Sequence, residues 1–198
     1  MKTFTDQPAE TSDGRRRRSI DSRARIVAAM LDLVREGQVA PGAEEVAARA
    51  EVGLRTVFRH FKDMDSLYRE LATAVERELI QIVAKPFKAE TWQGKVLELV
   101  ERRTPVYERI MPFRRASDTH RHTSPFIQTR HGVLAGQARE ILIRILPPEV
   151  VKDTLTFESL DLLLSFEAWA RLRSEQGLSQ KRARDVLTAA VERVLAGR

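Results

Sequence analysis

Between residues 52 and 62 the chain carries Arg55, Arg59 and Lys62, with Thr56 and His60 among them and no acid. A guanidinium can fork onto guanine or phosphate, while hydroxyl, imidazole and ammonium groups can donate to phosphate oxygens. Such a set suits a polyanion better than it suits catalysis. A second basic cluster, Arg15 to Arg18, precedes it, and residues 14–25 hold six arginines against Asp21 alone. A third stretch runs from Arg114 and Arg115 through Asp118, His120, Arg121 and His122 to Arg130 and His131. His120-x-His122 could begin a metal site, but no further ligand follows at coordinating spacing, so no metal is expected. A solvated connector is the simpler reading of that stretch; an anionic effector held by Arg114, Arg115 or Arg121 is the alternative. No nucleophile elbow, phosphate loop or His-Glu zincin pattern occurs, so the chain is read as a non-enzyme without a cofactor.

The elements that must position these groups are helices. Ile26, Ala29, Met30, Leu33 and Val34 recur at helical spacing and Gly37 sits where a helix would stop, which predicts a first helix over 22–36. Residues 43–50, with Glu44 and Glu45 in the first turn, predict a short second helix, and 54–61 predict a third with Val57, Phe58 and Phe61 on one face. About three residues join them. Asp63 is the expected N-cap of a long helix to Val83, with Leu67, Leu71, Ala74, Val75 and Leu79 as its buried stripe. Further helices are expected over 92–111, 125–146, 149–175 and 179–196, with Ser124 and Ser179 as caps and no alternating strand pattern anywhere. The expected fold is all-α: a three-helix helix-turn-helix domain followed by a helical domain, about nine helices in all.

The chain has 198 residues with no cysteine, which excludes a disulfide framework and a thiolate nucleophile or metal site. No apolar window has the length of a signal peptide or a membrane span, so the expectation is a cytoplasmic, nucleoid-associated protein with no membrane partner. The net charge of +6 is a poor guide to partners. Up to residue 84 there are 14 basic and 14 acidic residues, so the whole surplus lies in the second part of the chain. Local clustering carries the signal instead.

The segments 25–37 and 45–63, followed by Leu67, resemble the N-terminal domain of the tetracycline-repressor (TetR/AcrR) family of transcriptional regulators over about 50 residues. The resemblance implies a homodimer that reads double-stranded DNA, usually a repressor released by a small-molecule effector held in the second domain. It places Thr56, Phe58, Arg59, His60 and Lys62 at DNA-contacting positions, with Arg55 as an exposed base reader. Four positions depart from the family pattern. Glu51 occupies a turn position usually held by glycine, Gly53 replaces a serine cap, and Phe58 and Met64 replace a common tyrosine and lysine. The thinner phosphate inventory gives Arg17 and Arg18 of the basic arm a compensating role.

Three segments are therefore expected: a disordered basic arm over 1–20, a helix-turn-helix domain over 21–66, and an effector-binding and dimerisation domain over 67–198. Within the last, Trp92, Tyr107, Met111, Phe113, Arg114, Phe126 and Phe166 are candidate effector contacts. The final two helices form an apolar pair whose Trp169, Ala183, Val186, Leu187, Ala190, Val191 and Val194 are candidates for a four-helix dimer interface. The rival reading is a helical ligand-binding or scaffolding protein whose helix-turn-helix no longer engages DNA.

Overall fold

The computed structural model describes the backbone of residues 9–83, 85–118 and 124–197, and their side chains except at 9–13, 15, 77–83, 125 and 128. The described elements are all helical: α1 (Ala9–Arg35), α2 (Ala43–Arg49), α3 (Leu54–His60), α4 (Met64–Val83), α5 (Trp92–Asp118), α6 (Pro125–Ile145), α7 (Pro148–Lys152), α8 (Thr154–Leu163), α9 (Phe166–Ala170) and α10 (Gln180–Ala196), with a π-helical turn over Arg171–Glu175. Packing divides the chain into two units, Met1–Ala74 and Val75–Arg198, and the division falls within α4.

In the first unit, Ile26, Met30 and Val34 of α1 close over Val46 and Ala47 of α2, Val57 of α3 and Leu67 of α4, all buried. α1 stops where Gly37 takes φ 99°, with the Gly37 and Gln38 amides returning to the carbonyls of Val34 and Leu33; this pair of bonds satisfies the last turn. α4 starts on Asp63, whose carboxylate accepts from the Ser66 amide at 2.8 Å. α1, however, begins at Ala9 rather than near residue 22. Apolar periodicity detects only the buried part of a helix, and arginine is a good helix former without a buried face. Ser22 Oγ donates to the Arg18 carbonyl at 2.8 Å and Arg18 Nε to the Gly14 carbonyl at 3.2 Å, both within the helix. Of the arm expected over 1–20, residues 9–20 are thus helical and 1–8 lie outside the described residues.

In the second unit, Val96, Leu99, Val100, Tyr107 and Met111 of α5 meet Leu142 of α6, Phe157 and Leu160 of α8, Trp169 of α9, and Ala183, Leu187 and Val191 of α10. α5 continues to Asp118 through Pro105 and Pro112, seven residues beyond its expected end. The helix expected over 149–175 is instead three elements and a π turn. Asp153 and Ser165 cause the breaks: their side chains accept from the amides of Thr156 and Ala168, bonds that compete with helix continuation. Gly177 takes φ 64° before α10, which Ser179 caps. The predicted Leu79 side chain lies outside the described residues.

Candidate nucleic-acid interface

α3 is seven residues long; an α-helix with its side chains is about 10–12 Å across, which a major groove about 12 Å wide admits. Its inner edge is set by Val57 and Phe61, 1% and 2% exposed. Arg55 and Arg59, one turn apart, point the other way and are exposed, as is Lys62 just beyond the helix end. Thr56 is half-buried. Phe58 is 48% exposed and Leu54 39%, so the same surface presents apolar groups beside the cations. Arg17 and Arg18 are exposed on α1.

His60 is half-buried, and its Nε2 is enclosed without a hydrogen-bond partner. Burial, then the charges of Arg59 and Arg23, push its pKa below the ordinary histidine value. The imidazole therefore sits in the unit as a neutral group. The sequence placed it as a phosphate donor; the structure turns one of its two nitrogens inward.

Arg23 was not singled out by sequence reasoning and is the group that ties α3 down. Its Nη1 donates to the His60 carbonyl at 2.8 Å, its Nη2 to Glu70 Oε2 at 2.8 Å, and its guanidinium lies 4.4 Å from the centre of the Phe61 ring. One side chain of α1 thereby satisfies the C-terminal carbonyl of α3, which lacks an intrahelical donor. The signal was available: Arg23 precedes Ile26 by three residues and Met30 by seven, so it lies on the buried stripe, where a cation requires partners.

The turn before α3 is a second finding. The Glu51 and Val52 amides return to the carbonyls of Ala48 and Ala47, and Glu51 takes φ 53°, the left-handed region expected of glycine at this position. Gly53 then caps α3 with extended backbone and no side-chain bond.

In the second unit, Tyr107, Arg114 and Phe166 come together. The Tyr107 and Phe166 rings meet edge to face with centroids 5.7 Å apart, and the Arg114 guanidinium lies 4.7 Å from the Phe166 centroid. Tyr107 donates to the Leu164 carbonyl at 2.6 Å, and burial raises its pKa. Arg114 bonds Glu167 at 2.6 Å, while its Nε is buried without a partner. Met111 is buried near this group and accepts from Ser174 at 3.8 Å; Phe113 and Phe126 are half-buried. Trp92 is not part of the group: it opens α5, 22 residues before Arg114, about 33 Å along the helix. His120, Arg121 and His122 lie outside the described residues. Sequence reasoning missed Arg103, whose two terminal nitrogens bond the Leu164 and Ala138 carbonyls. It also missed Glu108, which accepts from Trp169, Arg173 and Gln180 at 2.7–2.8 Å. Burial opposes ionisation of Glu108, but these bonds outweigh it and lower its pKa.

Of the residues expected at a dimer interface, Trp169, Ala183, Leu187 and Val191 are buried in the core of their own unit, at 1%, 0%, 4% and 0% exposure. They hold α9 and α10 onto α5 and are not surface groups. Ala190 and Val194 are half-buried and Val186 is exposed. Sequence reasoning missed the most exposed of the described leucines, Leu155 at 83% and Leu162 at 65%, which lie two turns apart on α8 beside α10.

No protein-family model and no curated protein matches the chain. Solved structures do. A transcriptional regulator from Rhodococcus sp. Rha1 superposes with a TM-score of 0.64 at 18% identity, over 89% of this chain and 97% of that one. The multidrug-binding protein EbrR, solved in complex with imidazole, gives 0.57 at 19% identity over 85% and 88%. At such identity the likeness is one of fold. The chain has the all-α, tetracycline-repressor-like fold of these proteins.

Proposed function

We propose that the chain is a homodimeric transcriptional regulator, a repressor that holds a near-palindromic operator and is released by a small-molecule effector. One observation carries this reading: Arg55 and Arg59 are exposed on the outer side of α3 and Lys62 just beyond its end, with no acid between them. Arg55 reads base edges, Thr56 and Arg59 add base or phosphate contacts, Phe58 offers an apolar surface to a thymine methyl or a sugar, and Lys62 anchors the backbone. An outward arginine of α1 adds a further phosphate contact. Dimerisation uses the face of α8 and α10 that carries Leu155, Leu162, Val186 and Ala190, an exposed apolar surface of the kind that marks protein interfaces. The effector binds in the second unit near Tyr107, Arg114 and Phe166. The likeness to one protein described as a transcriptional regulator and one as multidrug-binding supports both halves of the reading.

The test is selection of duplexes from a randomised library by the purified full chain, followed by salt titration of the selected sequence. An inverted repeat with half-sites one helical turn apart, bound more weakly as salt rises, is expected. Failure to enrich any sequence at low salt would overturn the proposal and leave the scaffolding alternative.

A further inference from the structure

Four arginines in succession on a helix cannot all face one partner. Because α1 is continuous from Ala9 to Arg35, the direction of each arginine in it is fixed by its distance along the helix from a residue whose direction is known. Arg23 is that residue: it points at the C-terminal carbonyl of the recognition helix, 2.8 Å away. At 100° per residue, Arg16 is seven residues back and about 20° from the Arg23 direction. Arg17 is about 120° away and Arg18 about 140° away. The side of α1 that faces the end of α3 is thus continued outward by Arg16 alone among the arginines whose side chains are described. Arg16 is exposed, lies about 10 Å further along the helix axis than Arg23, and has exposed Ile20 between them on the same side.

We infer that Arg16 is a DNA-backbone contact of this protein, aimed by the rigidity of α1 at phosphates beyond those met by Lys62. This deepens the proposed function and rests on it. A helix lying in the major groove is flanked by a sugar-phosphate backbone on each side. α1 leaves the unit's packed core at the end of α3 that carries His60 and Lys62, so its first outward cation on that side meets the same backbone. Arg17 and Arg18, which the sequence alone favours, face away and are solvated.

The experiment uses the full chain and the duplex it selects from a randomised library, titrated between 50 and 200 mM KCl. Each phosphate contact contributes about 0.9 to the slope of log affinity against log salt. Arg16→Ala, which keeps the helix, is expected to lower the slope by about 1.8 per dimer, so that wild type loses about tenfold more affinity than the variant over this range. Arg16→Lys is expected to keep the slope, and Arg18→Ala to leave it unchanged. Inserting one alanine after Ser19 rotates everything before it by about 100°, which puts Arg17 seven residues before Arg23 and about 20° from its direction. In that background the loss should move from Arg16→Ala to Arg17→Ala. Equal slopes for all single variants, or an insertion that transfers nothing, would overturn the assignment while leaving the regulator reading intact. A wild-type chain that selects no duplex would overturn both.

Discussion

Glu51 is the one described non-glycine residue with positive φ, at 53°, and it closes α2 immediately before α3. A left-handed backbone costs an L-residue about 1–2 kcal/mol, because Cβ crowds the following carbonyl. Glycine has no such cost, but it brings about 0.4–1 kcal/mol of extra chain entropy to the unfolded state. The difference predicts that Glu51→Gly stabilises the protein by about 0.5–1 kcal/mol. Glu51 is exposed, so losing its charge subtracts little. For a chain of this length such a gain raises Tm by about 1–4 °C.

Urea denaturation of the full chain is the assay, with Glu51→Ala and Glu51→Asn alongside. The ordering is more informative than the size. In a helix interior alanine exceeds glycine by about 1 kcal/mol; at Glu51 the order should reverse, with asparagine between them because it tolerates the left-handed region. The slope of unfolding free energy against urea should stay constant across the set, since the change acts on one residue's conformation and not on the surface exposed. An alanine variant as stable as the glycine variant would refute the reasoning, because it would mean that the turn imposes no backbone cost.

Four further outcomes follow from the same geometry. Arg55→Ala should cost about 1–3 kcal/mol on the selected operator and much less on random DNA, whereas Lys62→Ala should weaken binding to both and lower the salt slope by about 0.9 per protomer, about 1.8 per dimer; equal effects on both duplexes would refute this division. His60 has a folded pKa below its unfolded value, so the folded state binds fewer protons. Its stabilising contribution is present above about pH 6.5 and is lost as pH falls through the folded pKa. Denaturation from pH 7.5 to 5.0 should show a shallower loss in His60→Gln than in wild type, and parallel curves would exclude the effect. Leu162→Glu on the exposed face of α8 should shift sedimentation toward the monomer while protomer stability changes by less than about 0.5 kcal/mol; an unchanged sedimentation coefficient would place the interface elsewhere. Ser165→Ala removes the cap that accepts from the Ala168 amide at 3.1 Å and should cost about 1 kcal/mol in thermal unfolding.

What the sequence made legible is what a helix records in its own residues. Gly37, Asp63, Ser124 and Ser179 end or begin helices through bonds to their own neighbours, and all four do so in the structure. The buried stripe of Ile26 to Val34 is legible for the same reason, since one helix face carries the whole pattern. Arg23, Arg103 and Glu108 were not legible, because their roles depend on which carbonyl or side chain a distant segment brings within 3 Å, and separations of 35–72 residues leave no trace in local spacing. The final helix shows the intermediate case. Its period correctly marks Ala183, Leu187 and Val191 as one apolar stripe, but period alone does not say whether that stripe faces its own core or a second subunit. The exposed apolar surface proposed above for dimerisation comes from Leu155 and Leu162. The sequence read these as part of one long helix, and in the structure they stand on a separate ten-residue helix opened by the Asp153 cap. A single capping side chain therefore decides which leucines are left for a partner.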